Sequence, residues 1–331
     1  MKRIGMICRM DNSGLGTLSW EFARHLRPSK ILLVENGVFT TFPERYKEFS
    51  TRRIHAMSTI KIEDMDWFFK DIDIILSFET FYNWGIVLMA KRVGVKTVLI
   101  TMFEMTPEIL PAKPDLFICP SPLDYEIMPE PKVHLSVPIN TKLLPWKGRR
   151  RAKIFTHIAS HGGANNRKGT PILIEAMKYV KSDISVYIYT WKKFTCEDPR
   201  VKILIQQFRE YWQCWQWGDV LIYPQDYNGI CLPVMEAFAS GMGVVSTNIY
   251  PFNEYLPKKL LFNPRAMTRL RAGGNLVEVD AAVISPVDVA RKIDEVANMD
   301  ISKYSLMGKE WAEKNSWEAL LPKYHEVFEN L

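Results

Sequence analysis

The 331-residue sequence contains no apolar run of the ~18–20 residues needed to span a bilayer, which argues against a transmembrane segment. Its opening, MKRIGMICRMDNSG, has too short an apolar part for a signal peptide and no small-residue cleavage site. C-x-x-C is also absent. The five cysteines (Cys8, Cys119, Cys196, Cys214, Cys231) are odd in number and widely spread. That pattern argues against a disulfide frame or a zinc site and suits reduced thiols, so a cytoplasmic protein is expected. Histidine is scarce, at six residues, and forms no H-x-x-x-H pair on an obvious helix. His157 and His161 stand four apart, but Gly162 and Gly163 follow and the run reads as strand then loop. No metal or resident cofactor is expected. Tandem repeats and low-complexity tracts are missing too.

What remains is a globular α/β pattern. Apolar residues make up 47% of the chain and charged residues 24%, proportions of a packed soluble protein, with ten tryptophans in addition. Short buried-looking strands (RIGMIC, KILLV, DIILSF, KTVLIT, LFIC) alternate with helical stretches such as GTLSWEFARHL and TFYNWGIVLMAKRV. After SVPINTKLLPWKGRRRAK the alternation restarts with KIFTHIA, ISVYIYT, VKILI, DVLIYP and GVVSTN as strands. GTPILIEAMKYV, the stretch around FREYWQCW, and LPVMEAFASG read as its helices. Such alternation implies parallel sheets covered on both faces, hence two Rossmann-like domains. We place them at residues 1–146 and 147–302, with closing helices over 303–331 that return towards the first domain.

Several motifs carry candidate chemistry. In DNSGLGTLSWEF, Gly14 and Gly16 precede a helix and allow a tight turn near its N-terminus. With Glu35 at the end of the next strand they outline an NAD site, although Ser19 stands where a third glycine belongs. A turn lining an interdomain cleft is the alternative. Later, ASHGGANNRKGTPILIEA places Arg167, Lys168 and Gly169 between strand and helix, where cations can meet phosphate. Asp71 and Asp73 form a D-x-D, but they lead into a strand, away from the ligand-binding carboxyl ends, and read as surface residues. Trp212, Trp215 and Trp217 form a cluster that could bind a sugar or a membrane; the first two share a helical face, which favours core packing or a helix–sheet contact. The net charge is +6, and Lys147, Arg149, Arg150, Arg151 and Lys153 follow one another with no acid between. That run is a solvated linker or a contact for anionic lipid or nucleic acid.

The most informative stretch is YNGICLPVMEAFASG, residues 227–241. Asn228-Gly229 marks a turn and Pro233 suits the first turn of a helix, which then carries Glu236 at the ligand edge of a parallel sheet. Taken with RKGTPILIEA and the following GMGVVSTN, this order of pieces resembles the retaining glycosyltransferases of the GT-B fold, in particular the group-1 (GT4-like) family. VLITMFEMTPEILP, CPSPLDYE, LSVPINT and SWEALLPKY also resemble family segments. The resemblance implies two Rossmann-like domains with parallel sheets facing across a cleft, the donor on the second and the acceptor on the first. It assigns Glu236 to the donor ribose and Lys168 to the diphosphate, with Arg167 as a substitute for the family's other cation. Backbone groups of Gly229, Ile230, Cys231 and Leu232 would approach the phosphates or sugar. The first glutamate of the family's E-x7-E element is replaced by Asn228, so Asn228 and Lys168 are the catalytic candidates, with Gly14, Gly16 and Glu104 on acceptor or cleft loops. The implied activity is sugar transfer from a UDP-, GDP- or ADP-sugar, without metal, to an unknown glycan, lipid, protein or nucleic-acid acceptor. A non-catalytic nucleotide-sugar scaffold and an NAD-dependent dehydrogenase remain as alternatives.

Overall fold

The computed structural model describes residues 2–56, 59–161, 166–206, 208, 210–272 and 277–331. They form two compact units, Met1–Pro138 with Trp317–Leu331, and Ile139–Ser316.

The first unit runs β1 (Ile4–Arg9), α1 (Gly14–Leu26), β2 (Lys30–Glu35), β3 (Thr51–His55), α2 (Ile62–Phe69), β4 (Ile74–Phe78), α3 (Gly85–Arg92), β5 (Lys96–Ile100), β6 (Leu116–Cys119), α4 (Pro122–Ile127) and β7 (Lys132–His134). Its sheet has the order β3-β2-β1-β4-β5-β6-β7 and is parallel throughout. β1 and β4 are buried along their whole length, as strands covered on both faces must be. The sequence pattern identifies the central strands but not β3 or β7. Both are polar edge strands, TRRIH and KVH, with no apolar run to announce them.

The second unit runs β8 (Ile154–Ser160), α5 (Thr170–Ala176), β9 (Ser185–Thr190), β10 (Val201–Ile205), β11 (Val220–Tyr223), α6 (Leu232–Ala239), β12 (Gly243–Thr247), β13 (Leu261–Phe262), β14 (Ala266–Ala272), β15 (Val277–Val283), α7 (Pro286–Ala297) and α8 (Ser302–Lys314). Its sheet, also parallel, has the order β10-β9-β8-β11-β12-β13. β14 and β15 form a separate antiparallel hairpin that the sequence reading does not anticipate. The closing helix α9 (Trp317–Glu329) packs in the first unit, where Trp317 and Tyr324 lie edge-on to Phe22 of α1. The expected helix around FREYWQCW is a single 3-10 turn over Tyr211–Trp215, closed by a reciprocal Glu210–Gln213 capping box. Residues 207 and 209 of that stretch lie outside the described residues.

Strand order reverses between β8 and β11. In the second unit the loops after these adjacent strands meet at the carboxyl edge, the crevice position at which parallel α/β sheets bind ligands.

Candidate functional site

Both informative motifs fall at that crevice. Arg167-Lys168-Gly169 follows β8 and leads into α5, while residues 224–231 follow β11 and lead into α6. The two loops are bonded to each other: the Asp226 backbone N–H donates to Arg167 O at 2.9 Å. The Arg167 guanidinium lies 5.3 Å from the centroid of the Tyr227 ring. Gly169 sits at φ +71°, and a Cβ there would stand 1.9 Å from Pro224 O. No other residue allows the cation loop to lie so close to the β11 loop. The glycine-containing part of the first loop, residues 162–165, is outside the described residues.

Lys168 is partly buried, and desolvation, then the neighbouring Arg167 charge, pull its ammonium down to about 8. Beneath it His157 is fully buried, its Nδ1 2.9 Å from Ile222 O and its Nε2 2.8 Å from Thr170 Oγ1. His157 thus ties β8 and β11 to the first residue of α5. Burial first, and the Lys168 charge next, push it down to about 4, so it is a neutral scaffold group. It is not one half of a metal pair with His161, whose ring lies 5.8 Å from that of Trp191.

On the other loop Asn228 is buried and turned back on the chain. Its Oδ1 accepts the Cys231 N–H at 3.2 Å, so that member of the 229–232 backbone group is already engaged. Cys231 stands at φ +47°, a left-handed conformation costing a non-glycine residue on the order of 1–3 kcal/mol, which the Asn228 bond helps to hold. Gly229 and Ile230 are buried in the turn, and Leu232 opens α6 with Pro233 behind it.

Glu236 lies in the second turn of α6 and is 7% exposed. Its Oε2 accepts the Trp215 indole N–H at 2.9 Å, and Trp215 is itself buried on the 3-10 turn before β11. The carboxylate in this otherwise apolar helix is bonded and aimed by a neighbouring aromatic. Trp215 thus packs in the core, as the sequence suggests, but with a polar duty the spacing does not reveal. Asp226 is a second residue no motif marks. Half-buried, it is raised by desolvation to about 7, and its carbonyl accepts the Ala282 N–H of the hairpin at 2.8 Å.

In the first unit Gly14, Gly16 and Glu104 all follow carboxyl ends of strands, the glycines after β1 and Glu104 after β5. A Cβ on Gly16 would stand 2.0 Å from Asp11 O, whereas Gly14 borders open space. Two of the N–H groups at the start of α1 are already used: Ser13 Oγ accepts Gly16 N–H at 3.2 Å, and Asp11 Oδ1 accepts Ser13 N–H at 2.9 Å. The Asp11 carboxylate is in turn ion-paired with the buried Arg9 guanidinium. Glu104 is fully buried close to Asp124 of α4. Burial, with the Glu104 charge adding to it, raises the Asp124 carboxyl to about 6 against the pull of its Ser121 hydrogen bond. Asp71 is exposed and Asp73 partly so, and both pair with Arg3, at 3.6 and 3.2 Å.

Residues 152–272 match the family model described as "Glycosyl transferases group 1". No curated protein matches the chain. Among solved structures, HepE (Alr3699) of Anabaena in complex with UDP-glucose is similar at TM-score 0.71 and 12% identity, with 100% of each chain covered. A glycosyltransferase from Rickettsia africae ESF-5 gives 0.69 and 12%, covering 99% of this chain and 98% of its own. Sucrose-phosphate synthase from Thermosynechococcus elongatus gives 0.69 and 13%, covering 100% and 99%. The chain therefore has the two-Rossmann GT-B fold, and its second unit carries the match to the group-1 glycosyl transferases.

Proposed function

We propose that the protein transfers a sugar from a nucleoside-diphosphate-sugar to an acceptor, with retained anomeric configuration. One observation carries this reading: a cation loop and a buried glutamate converge on the strand-order reversal of the unit that matches the glycosyl transferase family. In it, Lys168 and Arg167 offset the charge that builds on the departing diphosphate, which favours the reaction in a poorly solvated site. We assign no metal to that task, because two cations and the α6 N-terminus already supply it. Glu236 accepts from the ribose hydroxyls. Asn228 shapes the 228–231 turn through Oδ1 and leaves its amide N–H groups to donate to the sugar. The UDP and UDP-glucose complexes of HepE are consistent with such a donor. The acceptor would belong to the first unit, near the loops of Gly14, Gly16 and Glu104.

Calorimetric titration with UDP, GDP, ADP and their sugars, alongside a product assay in chelator, tests the reading. The expected result is micromolar binding of one nucleotide and sugar transfer undiminished by chelator, with the product's anomeric proton reporting retention. Failure of all three nucleotides to bind would overturn it. Binding without transfer would favour a scaffold, a reading that the amide of Asn228 in place of a carboxylate supports. If Asn228 faces the sugar, Asn228→Ala lowers turnover more than nucleotide affinity. Equal turnover in the two proteins would remove it from the site.

A further inference from the structure

The opposite, amino-terminal edge of the second unit's sheet has different chemistry. β8 and β11 pair there in the register Phe155–Val220, which brings Lys153 beside Gly218 and Asp219. The Asp219 carboxylate accepts the backbone N–H groups of Lys153 and Ile154, both at 2.9 Å. Trp217, next in the chain, is 68% exposed. Arg149 links this edge to α8: its Nε donates to Gly218 O at 3.0 Å and its backbone N–H to Ser305 Oγ at 3.1 Å. Trp146, in the segment before β8, packs against the same helix and donates to Ser305 O at 2.9 Å, and Leu306, next to Ser305, is 49% exposed.

The basic run is thereby divided. Arg149 is spent on backbone carbonyls, and Arg150 is paired with Asp300 at 3.1 Å. Lys147, Arg151 and Lys153 are exposed and make no ion pair among the described residues. Arg151 and Lys153 also line a shallow recess of about 320 Å³ walled by Ala297 and Met299. Of the acids beside this run, Asp219 and Asp300 are both engaged, and on α8 Glu313 lies 3.8 Å from Lys309.

We propose that this face seats the second unit on an anionic lipid surface. Trp217, Trp146 and Leu306 would enter the headgroup boundary while Lys147, Arg151 and Lys153 meet lipid phosphates. The interleaving decides the partner. A polyanion such as nucleic acid rewards the cations but gives an exposed leucine nothing to bury against. A twofold contact with a second copy would bring the same three cations together. The face lies at the end of the sheet opposite the carboxyl-end crevice, so docking leaves that crevice uncovered within this unit. The inference stands independently of sugar transfer.

Co-sedimentation of the intact chain with vesicles of phosphatidylcholine, alone or mixed with phosphatidylglycerol, tests it across a salt series. Binding is expected only to the mixed vesicles and should weaken with salt. Each cation near such a surface is worth about a fivefold change in partition, so K147A/R151A/K153A together should lose about a hundredfold. Trp217→Ala should lose about tenfold and Leu306→Ala a few-fold, with the salt dependence unchanged. All five positions are exposed, so melting temperatures should match the parent's and the loss cannot be ascribed to unfolding. Absence of binding to mixed vesicles overturns the proposal. So does binding that ignores Trp217→Ala and Leu306→Ala, or that single-stranded DNA displaces by binding more tightly, since both outcomes make the face a general polyanion site.

Discussion

Glu236→Gln is the most discriminating substitution in the second unit, because the Trp215 bond dictates which way the new amide must face. The indole N–H is a donor only. With Glu236 Oε2 accepting from it at 2.9 Å, the glutamine oxygen must take that place, and the NH2 group then occupies the position of Oε1. If Oε1 is the atom that accepts from the ribose diol, the substitution converts an acceptor into a donor at the one point where a hydroxyl must donate. A hydrogen bond to a charged group contributes roughly 1.5–3 kcal/mol, so nucleoside-diphosphate affinity should fall about ten- to a hundredfold. Folding should change little. The weaker neutral bond to Trp215 costs about 1 kcal/mol, and the smaller desolvation penalty of an amide offsets much of it. The assay is calorimetric titration of parent, Glu236→Gln, Trp215→Phe and the double variant with whichever of UDP, GDP or ADP binds. The matching 2′,3′-dideoxynucleotide serves as control. Parent and Glu236→Gln should bind the dideoxy control equally. Removing the indole N–H frees the glutamine to flip, so the double variant should regain part of the loss, a coupling only neighbours show. A Glu236→Gln protein that binds the ribonucleotide as tightly as its parent while melting lower would refute the ribose assignment. Glu236 would then be a packing partner of Trp215 and nothing more.

Three further outcomes are expected. Lys168 carries a proton with a pKa near 8 in the free protein, and a bound diphosphate favours the charged form. Affinity should therefore fall about tenfold per pH unit above 8, and Lys168→Arg should flatten that profile; a flat parent profile between pH 7 and 9 removes Lys168 from the phosphates. Gly169→Ala meets both a left-handed φ and the Pro224 carbonyl, a backbone atom that cannot swing aside, so it should cost roughly 2 kcal/mol or more and weaken nucleotide binding; a melt within about 0.5 kcal/mol of the parent's contradicts the close approach. Asp124 is raised from 3.8 to about 6 in the folded protein, so the fold holds the extra proton and stability declines as pH rises through that interval. Asp124→Asn should then add up to about 3 kcal/mol of stability at pH 8, read as a higher melting temperature, and far less near pH 4; an equal shift at both pH values argues against a buried carboxyl penalty.

The fold was legible wherever burial writes itself into composition. β1, β4, β11 and β12 are buried along their whole length and β5 in all but its first residue, and their mainly apolar sequences, by number and alternation, announce two parallel sheets. β3 and β7 lie at sheet edges, and β14 belongs to a hairpin and is exposed over nearly its whole length. Their sequences, TRRIH, KVH and AMTRLRA, carry too few apolar residues for a pattern to register. The site divides along a similar line. Lys168, Gly169 and Glu236 are legible because local backbone chemistry constrains them: a left-handed glycine between strand and helix, and a carboxylate just inside a proline-started helix. What spacing cannot convey is the contact between elements distant in sequence. Trp215 and Glu236 are 21 residues apart, on different elements, and nothing in YWQCW distinguishes an indole that packs from one that also donates to a buried acid. His157 presents the reverse case. Its four-residue spacing from His161 looks like a ligand pair, yet its two ring nitrogens are bound to Ile222 and Thr170, 65 and 13 residues away. A polar side chain in a covered strand must find partners, and those partners lie on whatever neighbouring strand and helix the topology supplies. A motif can therefore nominate the groups that touch a ligand, but the groups that aim and support them become visible only once strand order is known.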